Sequence, residues 1–131
     1  MNTLIVEDDF ISSLLLQELL KNYGSVFVAV NGKEAVKAVQ KALESGEPYH
    51  LICMDIKMPE MDGMEALKQI RKLEAERHIS SWNGAKIVMT THLDDMKNVS
   101  AAYRELCDAY LTKPISKMKL LEVLHDLDLI A

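Results

Sequence analysis

Five short aliphatic runs, each followed by an amphipathic segment, alternate along the whole sequence. Thr3–Val6, Val26–Val30, Leu51–Met54, Lys86–Thr90 and Ala109–Leu111 are continuous rather than alternating, which suits strands covered on both faces. Between them the apolar residues take helical spacing. Ile11, Leu15 and Leu19 recur every four residues, as do Ala35, Val39 and Leu43. Met64, Leu67 and Ile70 step by three, and so do Met118, Leu121, Leu124 and Leu127. Asn31 precedes Glu34 by three residues and Asp62 precedes Glu65 likewise, the spacing of a capping box at a helix start. Strict alternation of strand and helix predicts a parallel sheet with helices on both faces, a doubly wound α/β fold. No repeat, low-complexity tract or linker divides the chain, so one domain is expected over residues 1–131. The longest irregular piece spans roughly residues 75–85, before the fourth strand.

Composition excludes several classes. A formal net charge of −5 argues against nucleic acid as a partner, because binding a phosphate backbone needs a basic patch. No apolar run approaches the roughly 20 residues that span a bilayer. The N-terminus, MNTLIVEDD, has neither the basic region nor the cleavage site of a signal peptide. Cys53 and Cys107 sit in apolar contexts without metal spacing, as reduced, packed thiols do, and His50, His78 and His125 show no ligand spacing. A cytoplasmic domain without a membrane segment is expected.

In an open parallel sheet, ligands bind beyond the carboxyl ends of the strands. Glu7, Asp8 and Asp9 follow the first strand and Asp55 the third; Thr91 and His92 follow the fourth, Lys113 and Pro114 the fifth. Three or four carboxylates, a hydroxyl and an ammonium therefore converge on one edge. Crowded carboxylates repel, and a hard divalent cation compensates: Mg²⁺ takes one or two carboxylates, keeps waters and accepts a phosphoryl oxygen. A flavin or dinucleotide site would place Gly, Ser or Thr in the first loop so that backbone N–H groups could cradle phosphate; EDDF does the reverse. In the stretch LICMDIKMPEMDG, Asp55 stands alone at the tip of the central strand, while Asp8 and Asp9 make a metal-binding pair. Asp55 is thus the candidate nucleophile toward phosphorus, forming an aspartyl-phosphate.

With these residues assembled, the chain resembles a response-regulator receiver domain of two-component signalling. LIVEDD, MDIKMPEMDG, IVMTTH and AYLTKPI carry the resemblance, in order and each at a strand end, and it covers essentially the whole chain. It implies a (βα)₅ flavodoxin-like three-layer sandwich with a five-stranded sheet of order 2-1-3-4-5. It also implies a phosphoacceptor at Asp55, with Mg²⁺ (or Mn²⁺) held by the carboxylates of Asp9 and Asp55, by Asp8 through water and by the Lys57 carbonyl. Lys113 resembles the lysine that pairs with the phosphoryl group, and its bond to Pro114 is usually cis in such domains. Thr91, 22 residues before Lys113, matches the switch hydroxyl, and Tyr110, three before it, the switch aromatic. The implied donor is a histidine kinase or histidine phosphotransfer protein. Output would pass to a downstream protein through the fourth helix, fifth strand and fifth helix, about residues 95–125. The expected state is a stand-alone receiver, monomeric or weakly dimeric on phosphorylation, and a phosphoacceptor rather than a turnover enzyme.

Three positions depart from the pattern. His92 stands where Ala or Gly usually leaves the phosphoryl pocket open, Lys57 occupies a position that tunes dephosphorylation, and Leu73–Ala85 is longer than usual. Two rivals share some of these features. A haloacid-dehalogenase-type phosphatase also uses a strand-end Asp but needs a second Asp two residues on, where this chain has Lys57. A pseudo-receiver that binds without being phosphorylated typically lacks the acid pair, the phosphoacceptor or the lysine, and here all are present.

Overall fold

The computed structural model describes residues 1–58, 60–80, 83–92, 94 and 106–131. Its strands are β1 (Thr3–Val6), β2 (Val26–Ala29), β3 (Leu51–Asp55), β4 (Lys86–Thr91) and β5 (Ala109–Thr112). Its helices are α1 (Phe10–Leu20), which runs into a 3₁₀ turn at Lys21–Tyr23, α2 (Gly32–Ser45), α3 (Gly63–Glu76) and α4 (Lys117–Asp126). The fourth helix expected from about residue 95 falls largely outside the described residues, so α4 here is the last helix of the chain. The strands pair in parallel in the order β2-β1-β3-β4-β5, the doubly wound flavodoxin-like arrangement.

Two cores flank the sheet, because successive side chains of a strand point to opposite faces. Leu4, Val6, Ile52, Met54, Ile87 and Met89 meet α2 and α3 on one side, while Ile5, Leu51, Cys53, Val88 and Leu111 meet α1 and α4 on the other. Each fully buried aliphatic side chain contributes about 1.5–3 kcal/mol of transfer free energy. Burial pushes the Cys53 thiol up to about 12, which leaves it protonated and inert, as a packed core thiol. Both expected capping residues start their helices: Asn31 accepts the Glu34 N–H at 2.8 Å and Asp62 the Glu65 N–H at 2.9 Å.

Two helices sit rotated from their sequence reading. In α1 the buried residues are Ser13, Leu16 and Leu20, whereas Ile11 and Leu15 of the expected stripe are 70% and 44% exposed. FISSLLLQELL is apolar nearly all round, so spacing alone does not choose its inner face; the sheet does. Likewise α4 buries Leu120 and Leu124, and Met118 points outward.

At the end of the sheet where β4 and β5 begin, a charged network is buried. Arg71 of α3 donates to the carboxylates of Glu74 and Asp108 and to the carbonyls of Ala85 and Leu106. Glu74 also accepts the Ala85 N–H, and Asp108 the Ile87 N–H.

Candidate functional site

At the other end of the sheet, the central strand β3 runs one residue further than its apolar pattern and ends on Asp55, which pairs in register with Thr90 of β4 and is 8% exposed. Glu7 follows β1; its N–H donates to the Ala29 carbonyl, which keeps the backbone in the sheet and turns the side chain inward at 2% exposure. Lys113 follows β5, its N–H bound to the Thr91 carbonyl at 2.7 Å, and its peptide bond to Pro114 is cis. From there Lys113 Nζ donates to Glu7 Oε1 at 2.5 Å and to Asp55 Oδ2 at 3.1 Å. Glu7, Asp8 and Asp55 each place an oxygen within 4.8 Å of the others, a spacing that could hold a metal ion.

The acids divide differently from the expected pairing of Asp9 with Asp55. Asp9 is the N-cap of α1: one carboxylate oxygen accepts the Ser12 N–H at 3.0 Å and the Ser12 hydroxyl at 2.6 Å. Its backbone N–H donates to Glu7 Oε2 at 3.3 Å, and its carboxylate also feels the charge of Lys113. Glu7, which the sequence reading placed on the edge but gave no ligand role, stands in the cluster instead. The missed signal was local, since an Asp directly before a helical run is a preferred N-cap.

The electrostatics follow from burial. Desolvation pushes the Glu7 carboxyl above its ordinary range, and neighbouring Asp55 adds to this while Lys113 opposes it. Burial works against the Lys113 ammonium as well, but its bonds to Glu7 and Asp55 prevail and raise its pKa. Hydrogen bonds from Ser12 hold the Asp9 carboxyl below the usual range. Three carboxylates facing one ammonium leave an excess of negative charge. Such an all-oxygen donor set suits a hard cation such as Mg²⁺.

The cleft over Asp55 is also lined by Ser12, Leu15, Lys57, His92, Pro114 and Ile115. Thr91 and Thr90 are both buried, and the Thr91 hydroxyl donates to the His92 carbonyl at 3.3 Å. Tyr110 packs against the α2–α3 core with its hydroxyl buried. The loop after Asp55 is held at two points. Gly63 donates to the Ile56 carbonyl at 2.7 Å, and a Cβ there would lie 2.1 Å from the Asp55 carbonyl oxygen. Gly32 donates to the Met61 carbonyl at 3.1 Å, and a Cβ there would lie 2.3 Å from that oxygen.

Known proteins share this framework. The family model for the response regulator receiver domain matches residues 3–125. The sensor histidine kinase GacS of Pseudomonas protegens is 38% identical over 92% of this chain, which spans 12% of that kinase's length. The receiver domain of the histidine kinase CKI1 from Arabidopsis thaliana, solved with Mg²⁺ and BeF₃⁻, is 31% identical with a TM-score of 0.77, covering 97% of this chain and 89% of that one. The receiver domain of the Saccharomyces cerevisiae response regulator Ssk1, co-crystallised with the histidine phosphotransfer protein Ypd1, is 34% identical with a TM-score of 0.76, covering 95% of this chain and 86% of that one. Among the described residues, no helix is long and apolar enough to cross a membrane. Strand order, the acid cluster around Asp55 and these likenesses agree: the chain belongs to the family of response regulator receiver domains.

Proposed function

We propose that Asp55 accepts a phosphoryl group from a phosphohistidine of a histidine phosphotransfer protein or histidine kinase. The observation that carries this reading is the convergence of Glu7, Asp8 and Lys113 on a carboxylate at the tip of the central strand. An Asp55 oxygen attacks phosphorus, the P–N bond breaks, and its electron pair stays on the donor imidazole, which takes up a proton. Asp8 and Asp55, with the Lys57 carbonyl, are the direct ligands we assign to Mg²⁺ or Mn²⁺, and Glu7 supports them while bound to Lys113. A bound divalent ion supplies charge neutralisation for the phosphoryl oxygens. Lys113 holds Asp55 oriented and then binds a phosphoryl oxygen. Thr91 exchanges its long bond to the His92 carbonyl for one to the phosphoryl group. The Tyr110 hydroxyl is already buried, so any change there starts from an inward position.

Donor docking falls to the exposed stripe of α1. Phe10, Ile11, Leu14 and Leu15 are 71%, 70%, 44% and 44% exposed, and Leu15 reaches the cleft itself. Output through the last strand and helix is retained from the sequence reading, although residues 95–105 of that face lie outside the described ones. Free, reduced thiols at Cys53 and Cys107 suit a cytoplasmic setting.

Acetyl phosphate with Mg²⁺ should add one phosphoryl mass, labile to hydroxylamine. Asp55→Asn should take up none, and chelation should stop uptake. Modification at Asp8 or Asp9 in the native protein would overturn the assignment.

A further inference from the structure

The cleft over Asp55 is larger than phosphoryl chemistry alone requires. Its volume is about 510 Å³, the size of a small-molecule site. Glu7, Asp8, Asp55 and Lys113 make its reacting end. Much of the rest is apolar, with Lys57 and His92 as the polar exceptions on the lining. Leu15 and Leu16 of α1 contribute to it from one side of the sequence, and Pro114 and Ile115, directly after Lys113, from the other.

Helical spacing accounts for the first pair. Leu15 and Leu16 stand three and four residues beyond Ser12, whose hydroxyl donates to the Asp9 cap at 2.6 Å, so the apolar stretch begins one turn past the acids. Leu16 is 1% exposed and belongs to the core under α1 and α4, against which Ile115 also packs. That backing holds the wall in place. Leu15 is 44% exposed and keeps carbon surface open to a ligand. Displacement at phosphorus runs in line, so a leaving group departs on the side away from Asp55, out along this cleft.

We propose that the apolar wall receives the acyl chain of a small aliphatic acyl phosphate, so that the protein takes phosphoryl groups directly from such donors and prefers longer chains to acetyl. The inference rests on Asp55 as the phosphoacceptor. An Asp55 oxygen attacks phosphorus, the P–O bond to the acyl group breaks, and its electron pair leaves with the carboxylate product. Carbons laid against Leu15, Leu16 and Ile115 leave water, which stabilises the bound donor and the transition state alike. A hydrogen-bonding tail would find no side-chain partner among these four residues, which selects a saturated chain.

The test is the second-order rate of phosphorylation of the full chain by acetyl, propionyl and butyryl phosphate with Mg²⁺, read by intact mass. The three donors release carboxylates of nearly equal basicity, so chain length is what differs. The rate should rise about threefold per added methylene, somewhat less than full burial of a CH₂ would give. Leu15→Ser and, separately, Ile115→Ser should each pull the butyryl-to-acetyl ratio back towards one. That ratio is internal to each protein, so a change in folded fraction cancels. Equal rates for the three donors, or rates that fall with length, overturn the inference and leave Asp55 as the phosphoacceptor. A ratio unchanged in both variants overturns it too, because the preference then arises elsewhere. No uptake at Asp55 from any donor overturns the phosphoacceptor reading itself, and this inference with it.

Discussion

Two clusters of buried charge stand at opposite ends of one sheet and are built on opposite terms. Around Arg71, each charged group is saturated with hydrogen bonds: the guanidinium reaches Glu74 at 2.8 Å, Asp108 at 3.0 Å and two carbonyls, and backbone N–H groups fill further lone pairs of both acids. Around Asp55, one ammonium serves the carboxylates of Glu7 and Asp55 while Asp8 adds a third charge. The first cluster is closed and can only hold the fold together. The second keeps unspent negative charge and therefore has something left to bind. The lesson is that hydrogen-bond saturation, rather than burial, separates a structural cluster from a working one.

Breaking the closed cluster should have the largest effect. Arg71→Leu strands two mostly buried carboxylates and should cost about 3–5 kcal/mol in urea unfolding. Gly84→Ala presses on the same network, since its Cβ would lie 2.2 Å from the Glu74 Oε2 that the Ala85 N–H holds and 2.5 Å from the Oε1 that Arg71 holds. A loss of about 1–3 kcal/mol is expected there. At the open cluster the sign should reverse. Asp55→Asn relieves carboxylate repulsion and should raise metal-free stability by about 1–2 kcal/mol, while abolishing the rise in melting temperature that Mg²⁺ gives the native chain. If Asp55→Asn destabilises as much as Arg71→Leu, the contrast between the two ends fails.

Asp9 sharpens the contrast, because it lies beside the open cluster yet does structural work. Asp9→Ala should lower the melting temperature by a few degrees, whereas Asp9→Asn, an equally good cap, should restore it. The lowered Asp9 pKa gives this contribution its sign: it is present above the unfolded-state pKa and lost as pH falls through the folded one. Melting curves of native and Asp9→Asn proteins should therefore diverge only on the acid side. The smallest effect is expected at the switch. Thr91→Ala should leave stability and phosphate uptake nearly intact but remove the phosphorylation-dependent amide shifts near Tyr110 in NMR spectra. If Thr90→Ala removes those shifts and Thr91→Ala does not, the assignment is one residue off.

Legibility in the sequence followed the range of the interactions. Unbroken aliphatic runs located all five strands, and Asn31 and Asp62 announced their helices, because those signals lie within a few residues. The inner face of α1 was not legible, since Ile11, Leu15 and Leu19 are as apolar as Leu16 and Leu20. Within Glu7-Asp8-Asp9, composition showed that acids gather but not which one turns back to cap α1; the bond from the Glu7 N–H to the Ala29 carbonyl, just past β1, decides that. For Arg71 the only local sign was Glu74, three residues on, because its other carboxylate partner, Asp108, is 37 residues away. Contacts of that reach exist only once the sheet has formed.

The two glycine contacts behind Asp55 bear on ion choice. A side chain at Gly63 would press on the Asp55 carbonyl, and one at Gly32 on the Met61 carbonyl. Calcium asks for six to eight oxygens at about 2.3–2.6 Å and tolerates irregular cages, whereas magnesium wants six at about 2.0–2.1 Å in a near-ideal octahedron. An oxygen spacing tight enough for the smaller ion would therefore depend on two missing methyl groups, neither of which touches the metal.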